Sequence, residues 1–149
     1  MSSIVRKLAV VAFMLILVQS TFAQRRERDK ILDRKVFVVT MELQVEKEKN
    51  KEDPFEEELS FRTNKMTSKE MRMSNMGGFQ MGEYVVNEKK EVVGEEVFHF
   101  EAINKNAKDM SLKWEGKVFG NQIEGTAIVS KKGKIKEQYA FKGALKEKK

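Results

Sequence analysis

From residue 35 to residue 145, apolar side chains recur at every second position, and a helical repeat is almost absent. Successive side chains of an extended chain point to opposite faces, so this period marks strands. In the first run, 35–46, Phe37, Val39, Met41, Leu43 and Val45 share one face. Val36, Val38, Thr40, Glu42 and Gln44 share the other, and the β-branched content favours a strand.

The same rhythm returns in later runs, separated by polar turns. Residues 47–54 (KEKNKEDP) form a charged loop with the single proline. In 55–62, Phe55, Leu59 and Phe61 lie on one side, while Glu57 interrupts the apolar face and is expected near a rim. Thr63-Asn64-Lys65 reads as a tight turn. Residues 66–73 fit a short strand followed by an irregular loop to Phe79, or a short helix capped by Ser68. Strands are expected over 82–88 (Gly82, Tyr84 and Val86 on one face) and 92–103 (Phe98, Phe100 and Ala102 opposite Val97 and His99), with a turn at Lys89-Lys90-Glu91. After a polar loop at 104–109, Met110, Leu112, Trp114, Gly116 and Val118 share a face. Ile123, Gly125, Ala127 and Val129 follow, then Ile135, Tyr139, Phe141, Gly143 and Leu145, with turns at Gly120-Asn121 and Lys131-Lys132-Gly133.

Eight strands with short connections imply antiparallel neighbours in meander order. One consistently apolar face is then best buried by closing the sheet, which also removes its edges. The expected fold is therefore all-β: an eight-stranded antiparallel up-and-down barrel over 35–146. Such a barrel is wide enough for a filling of side chains or one small ligand. Glycines at 116, 125 and 143 fall on the inward face beside Trp114, Ile123 and Phe141, where they allow a strand to bend sharply.

The N-terminus reads differently. Arg6 and Lys7 precede an unbroken apolar run of 11 residues, Leu8 to Val18, and Thr21-Phe22-Ala23 supplies small residues for a cut before Gln24. That is the layout of a signal peptide (1–23), too short for a spanning helix, and it predicts a secreted or periplasmic protein with no membrane segment after cleavage. A charged lead-in, 24–34, follows, with room for a frayed helical turn. The 149 residues carry a net charge of +6, and removing Arg6 and Lys7 leaves +4. Lysines alternate with glutamates rather than forming a basic stripe, which argues against nucleic acid as a partner. There is no cysteine, so an exported domain of this kind depends on its core, and an acyl anchor on an N-terminal cysteine is excluded.

The segment W-x-G-x-V-x-G-x-x-I-x-G-T (Trp114 to Thr126), with a strand ending Y-x-F-x-G (Tyr139 to Gly143), resembles the C-terminal hairpins of small secreted bacterial lipocalin-like or avidin-like barrels of uncharacterised function. Phe55, Leu59, Phe61, Ser68, Gly78, Phe79 and Tyr84 are similar to their earlier strands. The G-x-W that lipocalins carry near the first strand is missing, so their ligand contacts do not transfer. The resemblance implies the fold and a central cavity.

No catalytic constellation stands out. Ser-His-Asp chemistry would need His99, the single histidine, which the alternation turns outward. No G-x-S-x-G, H-E-x-x-H, P-loop or dinucleotide fingerprint occurs. Glu56, Glu57, Glu58, Glu95 and Glu96 are expected at exposed or rim positions. The expectation is a non-enzymatic exported barrel without a cofactor. It either binds a small apolar ligand against Phe37, Leu43, Phe61, Tyr84, Phe100, Trp114, Tyr139 and Phe141, or has a filled core and a structural or interaction role. The alternative is a periplasmic soft-metal protein. Five methionines crowd into 66–81, and Met71, Met73, Met76 and Met81 offer thioether ligands suited to Cu(I). Nothing in the sequence fixes an oligomeric state.

Overall fold

The computed structural model describes residues 29–44, 52–73 and 77–148, except for the side chains of 73 and 88–92. The expected leader, 1–23, and the start of the lead-in lie outside the described residues. Strands β1 (Val36–Leu43), β2 (Phe55–Arg62), β3 (Lys65–Ser68), β4 (Gly82–Val92), β5 (Glu95–Lys105), β6 (Met110–Phe119), β7 (Gln122–Lys131) and β8 (Lys134–Leu145) pair in sequence order. β1 also pairs antiparallel with β8, so the meander closes into a barrel. A five-residue helix, α1 (Lys69–Met73), follows β3. Among the described residues no helix is long and apolar enough to cross a membrane.

The inward face is the alternating apolar set. Phe37, Val39 and Met41 of β1 face Leu59 and Phe61 of β2, Phe100 and Ala102 of β5, and Trp114 of β6 in one continuous core. Full burial of a side chain as large as Phe37 stabilises the fold by roughly 1.5–3 kcal/mol.

Two glycines shape the barrel. Gly116 and Gly125 are direct cross-strand partners. A Cβ on Gly125 would lie 2.1 Å from the Glu115 carbonyl oxygen, and one on Gly116 would lie 2.6 Å from the Phe100 ring. With no inward side chain at either position, β6 and β7 sink towards the core and bend over Phe100.

Four details depart from the sequence reading. The β4–β5 turn is at Val93-Gly94, with φ of 53° and 79°, rather than at Lys89–Glu91. Gly94 accepts the left-handed conformation at little cost, whereas the charged run simply continues β4. Ile135 is exposed, because β8 carries an extra residue where Val129 pairs Glu137 and Ser130 pairs Ile135. That bulge reverses the phase of the alternation. Residues 66–73 supply both a strand and a helix. Glu57 does lie at a barrel end, but it is 1% exposed rather than solvated, because α1 covers it.

Each end of the barrel is covered. At one end the lead-in turns beneath β1 and β2, where Leu32 is fully buried. Arg34 N–H donates to Phe61 O at 2.8 Å, and Phe61 N–H to Lys35 O at 3.0 Å. At the opposite end α1 lays Met71 on the core, and Phe79 packs beside it through a 3.2 Å bond from its N–H to Met71 O.

Candidate functional site

Seven of the eight interior residues singled out by alternation are buried, at no more than 3% exposure, and Leu43 is half-buried against the same core. Phe61 brings four of them together. Its ring meets Tyr84, Phe100 and Phe37 edge-on, with centroids 5.0, 5.5 and 6.0 Å away. Trp114 and Phe141 form a second pair at 5.4 Å, and Tyr139 meets Phe55 at 5.8 Å. Edge-to-face pairs of this kind each add about 0.5–1.5 kcal/mol beyond area burial. The rings are therefore partners of one another.

The tyrosine hydroxyls, the natural handles for a ligand's polar end, are engaged within the chain. Tyr84 donates to Asp29 Oδ2 at 2.9 Å, and Tyr139 donates to Glu137 Oε2. Burial, and then the hydrogen bond to a carboxylate, push both phenols well above their ordinary range.

Two buried polar residues organise the core, and the sequence reading assigned them elsewhere. Asn104 begins a polar loop by its sequence, yet it follows Phe100 and Ala102 at the two-residue spacing that turns it inward. It accepts from Trp114 Nε1 at 2.9 Å and donates to the carbonyls of Met66 (3.0 Å) and Gln80 (2.8 Å). Glu57 accepts from the backbone N–H groups of Glu58 (2.8 Å), Glu70 (2.9 Å) and Met71 (3.0 Å). Glu57, rather than Ser68, thereby caps the first turn of α1. Both assignments depend on partners remote in sequence.

The methionines diverge. Met66 and Met71 are core residues, whereas Met81 is 58% exposed. The side chain of Met73 and the whole of Met76 lie outside the described residues. Among the described residues no three His, Asp or Glu side chains are grouped as a metal site.

The outer face carries a concavity. A groove of about 660 Å³ crosses the sheet from β4 and β5 to β8 and β1, floored by Gly116 and Gly125. It exists because the strands sink at that glycine pair. His99, Thr40 and Thr126 line it, with one acid–base pair inside it and a second at its edge. Lys117 Nζ is 2.9 Å from Glu124, and Lys113, just beyond the groove, is 2.6 Å from Glu115. That hydrogen bond holds the Lys113 ammonium above its usual range. The groove thus has a hydrogen-bonding rim of mixed charge, and its floor reaches Phe100 and Phe141, whose rings belong to the core.

No protein-family model matches the chain, and no curated protein or solved structure matches it significantly. The barrel architecture is shown by the strand pairing alone.

Proposed function

We propose that the chain is an exported, non-enzymatic β-barrel whose interior is filled and whose role is structural or interactive, exercised through its outer surface. The observation that carries this reading is the Phe61 ring cluster, in which three aromatic partners occupy the space an internal apolar ligand would need. The self-satisfied Tyr84 and Tyr139 hydroxyls support it, since a ligand's polar end would have to displace a carboxylate. The leader-like first 23 residues support export. The outer groove, with its hydroxyls, imidazole and charge pairs, is the surface we assign to contact with a partner.

Titration with a long-chain fatty acid and with an apolar fluorescent probe tests the reading. Trp114 fluorescence should stay constant and neither molecule should bind stoichiometrically. A saturable one-to-one quench of Trp114 that Phe61→Ala alters would establish an internal ligand site instead.

A further inference from the structure

β4 outruns its neighbour. β3 registers with it only at Lys65–Glu83 and Met66–Gly82, and Tyr84 N–H makes one further bond to Asn64 O. From Val85 to Val92, β4 is paired with β5 alone among the described residues. β5 in turn reaches β6 no further than Val97–Phe119, so the end of the β4–β5 hairpin projects past the barrel. A strand edge of this length presents unpaired N–H and C=O groups that can template another strand.

The hairpin tip is unusual in a second way. Val93 is fully exposed and has a φ of 53°. A β-branched residue in the left-handed region is strained, and a turn with two positive φ values favours Asn or Gly at its first position. Folding of the single chain does not call for valine there.

The sequence of the edge suits it to pairing. Residues 85–93 read VVNEKKEVV. Set antiparallel against a second copy and centred on Lys89, this stretch is self-complementary. Glu88 falls opposite Lys90 twice by symmetry, and a valine pair flanks these contacts at each end. Moving the centre to residue 88 opposes Glu88 to itself and, past the Asn87 bulge, Val86 to Lys89 and Val85 to Lys90. Moving it to residue 90 opposes Glu88 to Val92. The bulge at Asn87 takes that residue out of the ladder, which leaves the Glu88–Lys90 pairs in place and brings Val85 opposite Val92. Edge lysines ordinarily discourage pairing. Here Lys90 meets a carboxylate, and only Lys89 faces its own charge.

We propose that the free edge of β4 pairs with the same edge of a second copy, giving a two-fold dimer joined through a continuous β4–β4 ladder about Lys89. The exposed Val93, in the turn one residue beyond Val92, then lies at each end of the ladder, where the partner can cover it.

Sedimentation velocity of the purified protein across a concentration series tests this. The protein should pass from monomer to dimer. Lys90→Glu should abolish the dimer by opposing like charges, and Glu88→Lys combined with Lys90→Glu should restore it. Lys89→Ser should move the transition to lower concentration. Far-ultraviolet circular dichroism checks that each variant is folded. A protein that stays monomeric overturns the proposal. So does a dimer indifferent to Lys90→Glu, or a folded double variant that fails to recover.

Discussion

Trp114 donates its indole N–H to the side-chain oxygen of Asn104, 2.9 Å away, and that amide spends its own protons on the carbonyls of Met66 and Gln80. One side chain on β5 therefore joins β6, β3 and the segment entering β4. Asn104 is 1% exposed and Trp114 fully buried, so water cannot replace any partner that is lost. Asn104→Ala should cost about 3 kcal/mol or more, because each stranded buried group costs about 1–3 kcal/mol. Trp114→Phe should cost less. Urea denaturation of both single variants and the double variant should give a coupling well away from zero, since the two share one hydrogen bond.

Glu57 holds α1 against the barrel end through its bonds to the N–H groups of Glu70 and Met71. Glu57→Ala should destabilise the protein by about 2 kcal/mol, and Glu57→Gln, which keeps one acceptor oxygen, by about half as much. Amide hydrogen exchange should accelerate first at Glu70 and Met71. Unchanged exchange there would remove the capping role.

Gly125 and Gly133 should respond very differently to alanine. At Gly125 the added Cβ meets the backbone of β6 at 2.1 Å, and no side chain can move aside. Gly125→Ala should cost at least ~3 kcal/mol or prevent folding. Gly133, at a φ of 76°, has open space around it, so alanine there meets only the conformational penalty of about 1 kcal/mol. Thermal unfolding of the two variants side by side checks the contrast.

Alkaline pH should weaken the fold. Tyr84 and Tyr139 are held above the ordinary phenol value of 10.0 in the folded chain, by burial and then by Asp29 and Glu137. The unfolded chain loses those protons first. Stability from this source is thus fully present below that ordinary value and declines as pH rises through it towards the folded values. The urea midpoint should be flat in this respect at neutral pH and fall above about pH 10. The fall should be shallower in a Tyr84→Phe, Tyr139→Phe double variant, and an equal slope would show that other groups cause it.

Alternation alone identified the strands, their antiparallel order and the inward faces. It placed Phe37, Phe61, Phe100, Trp114 and Phe141 inside because an extended chain turns every second side chain the same way, and closure of eight short-connected strands followed from that face. Four assignments needed the tertiary structure. Ile135 shares the parity of Tyr139 but faces out, because one extra residue in β8 reverses the phase between them. Leu32 fills the barrel end although a charged segment surrounds it, and Asn104 and Glu57 are buried where polarity suggested solvent. A local pattern records the direction of a side chain only as long as the register is unbroken. Whether a buried polar atom is satisfied depends on groups such as the Gln80 carbonyl and the Met71 amide, which only closure of the barrel brings within hydrogen-bond reach.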